Sequence, residues 1–176
     1  MKYFIVFASL FFIFSCSTAG IKNIEYSNFD RSTTVQKSFD DVWSSVMEWS
    51  ALKGFPIESV DKEAGIITLS ASGVLSQSFF QAPINQGKGA DLDQSLVSCG
   101  EATGNIGLYT GKFADLSIRA TIILRDLGDS TRVTVNFSGN AVVEVRNSVG
   151  LVSRSNNTCP SRGIFERELF TDLNAQ

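Results

Sequence analysis

The chain of 176 residues contains no histidine. That single absence removes the Ser-His-Asp and Cys-His arrangements of nucleophilic catalysis, together with every histidine-based metal site. It also lacks an excess of positive charge, since 15 basic residues face 18 acidic ones. A balance of that kind gives no electrostatic case for nucleic acid or for an anionic lipid surface as a partner. No internal repeat and no long low-complexity tract interrupts the chain, whose length suits one domain with a real core. The uncharged run from Tyr3 to Phe14 falls well short of the about 20 apolar residues that a membrane-spanning helix needs.

That short run nevertheless has an address. A basic Lys2, an apolar stretch and small residues at its end describe a secretory leader over residues 1–15. The segment Ile13-Phe14-Ser15-Cys16 resembles the lipobox of bacterial lipoproteins, in which the cysteine becomes the new N-terminus and is acylated. The resemblance implies lipid attachment at Cys16 and a place in the bacterial cell envelope. Ser17, where an aspartate would retain an enterobacterial lipoprotein at the inner membrane, favours the outer membrane facing the periplasm. Each buried CH₂ contributes about 0.8 kcal/mol, so two or more acyl chains anchor a protein stably. The polar stretch from Ser17 to Arg31 lacks periodicity and reads as a flexible tether, able to reach roughly 50 Å if fully extended.

With Cys16 assigned to lipid, Cys99 and Cys159 remain, an even number in an oxidising compartment, and are expected to pair. Closing the loop between them contributes roughly 4 kcal/mol on the chain-entropy account. Two buried free thiols are the alternative. Their spacing is far from Cys-x-x-Cys, which argues against a redox role.

The folded part, residues 32–176, begins with a short strand at TTVQ, Thr33 to Gln36. Ser38 followed by Asp41 is a capping signal, and Val42, Trp43, Val46 and Trp49 recur at helical spacing, so a helix is expected over roughly 39–53 with Gly54 as its stop. Strands from Phe55 to Val60 and from Ile66 to Ala71 flank DKEAG, whose Gly65 suits a left-handed turn position. Two longer strands follow. Leu116, Ile118, Ala120, Ile122 and Leu124 alternate with polar residues. Val133, Val135 and Phe137, extended by Ala141, Val143 and Val145, do the same across the RDLGDST loop. A last helix is expected from near Arg162, burying Phe165, Leu169 and Leu173 behind Pro160 and Ser161.

These elements predict an α+β fold, an antiparallel sheet of about five to six strands with two helices on one face. SFDDVWSSVMEWSALKGFPIESVDKEAGIIT looks like the repeated unit of BamC-like outer-membrane lipoproteins, through Val42-Trp43, Gly54-Phe55, Val60-Asp61-Lys62 and Gly65-Ile66. The resemblance implies a TATA-binding-protein-like fold; a helix-grip fold is the alternative. BamC has two such units and this chain shows one. CPSRGIFE, from Cys159 to Glu166, is similar to the Cys-x-Ser-x-Gly…Glu close of related lipoproteins of undefined role.

Chemistry is sparse. Ser50 and Lys53 match Ser-x-x-Lys, but the companion boxes of those enzymes are missing and Ser50 reads as helix filler. Asp91 and Asp93 lack fuller calcium-loop spacing. The glycines at 100, 104, 107 and 111 have no Gly-Lys-Ser/Thr after them. The segment from Gly73 to Gly111 is the least regular, and Phe79 and Phe80 beside Pro83 either bury under the sheet or meet a partner. No catalytic residue, metal or cofactor is expected. Two functions fit: a non-enzymatic, lipid-anchored envelope module that contacts a protein partner, or a periplasmic carrier of a small ligand or lipid in a cavity lined by Trp43 and Phe137.

Overall fold

The computed structural model describes residues 19–22, 24, 26–72, 96–99, 101–104, 110–147 and 149–175. In chain order the elements are β1 (Ala19–Lys22), β2 (Ser32–Val35), α1 (Phe39–Leu52), β3 (Ile57–Asp61), β4 (Ile66–Ser72), β5 (Glu101–Gly104), β6 (Thr110–Asp126), β7 (Thr131–Asn147), β8 (Gly150–Pro160) and α2 (Ile164–Ala175).

The alternating runs form the centre of the sheet. β6 and β7 pair antiparallel from Thr110↔Arg146 to Asp126↔Thr131. Leu116, Ala120, Ile122 and Leu124 of β6 and Val133, Val135, Phe137 and Ala141 of β7 are buried, whereas Arg119, Arg132 and Asn136 are exposed. A residue period of two in the sequence has become two chemically distinct faces. β4 adds to β6 and β3 to β4. On the other side of β7, β2 takes the end from Thr131 to Thr134 and β8 the stretch from Ser138 to Asn147. The result is a six-stranded antiparallel sheet with two helices, an α+β fold.

Both helices close over the apolar face. Ser38 caps α1, its Oγ accepting from the Asp41 backbone N–H at 3.2 Å, and Lys53 ends the helix with Gly54 at φ 66° just beyond. Val42, Trp43, Val46 and Trp49 are all buried. α2 starts at Ile164, two residues later than expected, because Gly163 at φ 78° turns the chain before the helix begins. Phe165, Leu169 and Leu173 bury as their spacing required. Phe165 is the hub of an aromatic cluster. It stacks on Phe137 at 4.6 Å between ring centroids and meets Trp49 and Phe55 edge-on at 5.2 and 5.1 Å. Trp49 is also fixed at its polar end, where Nε1 donates to Asp172 at 2.9 Å.

Two expectations need correction. The stretch read as a tether contains β1, which pairs with β5 in a separate two-stranded sheet. Farther along, the Arg31 carbonyl, next to the start of β2, accepts from Val135 N–H at 2.8 Å. The segment 73–111, read as irregular, contains β5 and the start of β6, so Gly104 and Gly111 lie in strands. Ala19 to Lys22 is too short to show periodicity, and its partner lies some 80 residues away, so no local pattern announces the pair. In β6, a register shift between Phe113 and Asp115 interrupts the alternation that begins again at Leu116.

Candidate functional site

The polar face of the sheet, opposite the helices, is where the fold gathers groups able to bind. Register aligns Ser72, Ser117, Asn140 and Thr158 in one row across β4, β6, β7 and β8, with Ser70, Arg119 and Ser138 in the next. Together with Pro56 and Glu58 at the β3 edge, these rows line an open hollow of about 630 Å³. A second hollow of about 260 Å³ shares Arg119 and Ser138 and continues toward Arg31, Thr121 and Asn136. Small hydroxyl side chains on neighbouring strands leave this space, since each stands only a few ångströms from the pleat.

One ion pair spans the hollow's wall. Arg119 Nη2 approaches Glu58 Oε1 at 3.1 Å, with both side chains substantially exposed. Exposed pairs of this kind contribute about 0–1 kcal/mol, so its role is to orient the guanidinium rather than to hold the sheet. A second cluster lies farther along β7. Glu144 is nearly buried and one of its oxygens accepts from Arg146 Nη2 at 2.6 Å and Nε at 3.0 Å, while Arg154 stands 3.9 Å from the other. Strand register brings Arg119 to Glu58 and Arg154 to Glu144, whereas Glu144 and Arg146 are neighbours on one face of β7, two residues apart.

The end of β8 and the start of α2 form a compact structural joint. Cys99 and Cys159 are disulfide-bonded and both buried. Around them the strand ends are tied by Ser98 N–H to the Pro160 carbonyl at 2.8 Å and Arg162 N–H to the Leu96 carbonyl at 2.9 Å. Ser161 Oγ accepts from Gly163 N–H at 3.0 Å and donates to Glu166 Oε2 at 2.9 Å. Glu166 is buried, and desolvation raises its pKa above the ordinary carboxylate value despite the hydrogen bonds and the nearby Arg31 and Arg167 charges. A side chain at Gly163 would put its Cβ 2.5 Å from the Phe29 ring. The residues Cys159, Ser161, Gly163 and Glu166 thus each have a structural task in this joint: disulfide, bridging hydroxyl, left-handed turn and buried acceptor.

The other sequence candidates fall apart spatially. Ser50 is buried and donates to the Val46 carbonyl at 2.8 Å, while Lys53 reaches Glu168 and Asp172 at 3.6 Å each. A serine whose hydroxyl is spent on its own helix, beside a lysine turned toward two carboxylates, is not set up as a nucleophile. Trp43 and Phe137 are core residues, Trp43 stacking on Phe39 at 5.9 Å. Cys16, Phe79, Phe80, Asp91 and Asp93 lie outside the described residues. Among the described residues, no group of three or more metal-binding side chains is gathered, and no helix is long and apolar enough to cross a membrane.

Sequence reasoning did not single out Glu58, Arg119 or Glu144, and reached Glu166 only as the close of a lipoprotein-like motif. The alternation marks Arg119 as outward-facing, but its partnership with Glu58 depends on which strand lies beside β4. Glu166 carries a local signal, the Ser161-to-Glu166 spacing around a glycine ahead of an apolar helix. Compared with protein-family models, with curated proteins and with solved structures, the chain finds no match.

Proposed function

We propose that this protein is a non-enzymatic bacterial envelope lipoprotein, anchored through acylated Cys16 and serving as an interaction or assembly accessory module whose partner is a protein bound on the polar face of the sheet. A relation to the BamC-like lipoproteins belongs to the same proposal. The observation that carries it is the division of labour between the two faces. The space between helices and sheet holds the close-contacting rings of Trp49, Phe55, Phe137 and Phe165, whereas the hollow of about 630 Å³ opens on the hydroxyl-rich opposite side. Pockets that enclose small apolar ligands are concave and mostly apolar; this surface is open and hydrogen-bonding, which suits the polar part of a protein interface.

A photo-crosslinking residue at Ser117 or Asn140 of the full chain, expressed in its native host, tests the reading. Discrete protein adducts are expected from these two positions and not from Glu48 on the exposed side of α1. Adducts from Glu48 alone would move the interface to the helices. A stoichiometric lipid seen by native mass spectrometry of the delipidated domain would replace the module with a carrier.

A further inference from the structure

The small sheet limits how far from the fold Cys16 can stand. β5 begins two residues after Cys99, which is bonded to Cys159, and Cys159 pairs with Gly139 in the middle of β7. From there β5 runs to Gly104, and the chain next appears in β6 at Thr110, opposite Arg146 near the far end of β7. Ala19 pairs with Gly104, while Ile21 packs on the main core. β1 lies beside β7 and β8, and its start pairs with the end of β5 that leads on toward Thr110. Three peptide units separate Cys16 from Ala19, a reach of at most about 11 Å. The long tether expected from the polarity of residues 17–31 is replaced by a short one.

The β7–β8 end of the sheet has the properties of a surface for lipid. Val149, at the β7–β8 turn, is 93% exposed, an apolar side chain with its face to solvent. Arg146 and Arg154 stand on β7 and β8 on the way to this turn, about half exposed and sharing Glu144. Two cations, Arg146 and Arg154, stand around the single anion Glu144 here, an excess of positive charge on a chain that is acidic as a whole. Cations close to an anionic leaflet are attracted to it within a Debye length.

We infer that the β7–β8 end of the sheet docks on the surface of an anionic phospholipid bilayer, with Val149 at the interface and Arg146 and Arg154 toward the headgroups. The inference rests on the acylation of Cys16 proposed above. It deepens that reading by fixing an orientation: the row Ser72-Ser117-Asn140-Thr158 lies six residues farther along β7, so at about 3.3 Å per residue the hollow stands roughly 20 Å above the headgroups. A partner would then be met close to the membrane and from the side.

The test uses the full acylated chain reconstituted in phosphatidylethanolamine–phosphatidylglycerol vesicles that carry a nitroxide on a fraction of headgroups. Val149→Cys and Leu127→Cys, each labelled with a fluorophore, report on opposite ends of the sheet; both positions are exposed, so neither label disturbs the core. Quenching several-fold stronger at position 149 than at 127, and weakened in vesicles of zwitterionic lipid alone, is expected. Equal quenching at both positions, or stronger quenching at 127, in protein whose intact mass carries the acyl chains overturns the orientation and leaves the anchor standing. An intact mass without acyl chains overturns the anchor and the orientation together.

Discussion

Burial of Glu166 ties the stability of the fold to pH. Its folded pKa is raised by desolvation, so the folded state holds the proton more tightly than the unfolded chain. The stabilising contribution is complete below the ordinary glutamate pKa and is lost as pH rises through the raised value. The melting temperature is therefore expected to decline across that window, and Glu166→Gln, which keeps an acceptor for Ser161, should flatten the decline. Thermal unfolding of both proteins over a pH series measures this directly; parallel curves would refute it. Gly65 makes a second prediction at the same scale. It sits at φ 69°, and an added Cβ would come 2.2 Å from the Leu124 carbonyl oxygen. The carbonyl of the same glycine accepts from Leu124 N–H at 2.8 Å, and its N–H donates to the Lys62 carbonyl at 3.2 Å. Gly65→Ala should destabilise the domain by about 1–3 kcal/mol or more, read by urea unfolding, since the backbone it strikes cannot rotate away.

At the scale of elements, α1 and the β8–α2 joint are stabilised in different ways. α1 depends on a local cap, and Ser38→Ala should cost about 1 kcal/mol in the same unfolding assay, as loss of an N-cap oxygen usually does. The joint depends on a covalent link across 60 residues of chain. Opening it with Cys99→Ser and Cys159→Ser together should lower stability by about 4 kcal/mol on the chain-entropy account. A double variant as stable as the parent would mean that the hydrogen bonds from Ser98 and Arg162 suffice to hold the joint. The amphipathic helix and the two long strands were legible because their side chains repeat every 3.6 or two residues over many turns. β1 and β5 were not, since four residues carry too little pattern and their pairing is set by distant chain segments.

For the whole molecule, the acylation proposed at Cys16 carries a prediction about location. Cys16→Ser should shift the protein from the membrane fraction to the soluble fraction, measured by fractionation of host cells after a high-salt wash, because loss of the acyl chains removes about 0.8 kcal/mol for every buried CH₂. Retention of the variant in the membrane would show that another contact holds it. The polar sheet face belongs to this scale too, because none of its rows exists in any single strand. Ser70, Arg119 and Ser138 become neighbours only when β4, β6 and β7 are in register.

Residue types and their spacing alone determined the absence of histidine chemistry, the amphipathic faces of α1 and α2, the two-faced character of β6 and β7, and the availability of two cysteines to pair. Those properties are local, or are simple counts, and survive any arrangement of the elements. The tertiary structure alone decided that the supposed tether contains a strand, that the hollow opens on the wet face, and that Glu58 meets Arg119. Each of these depends on contacts between segments far apart in the chain, whose entropy cost is met only when the whole core closes, so no short stretch of sequence can encode them by itself.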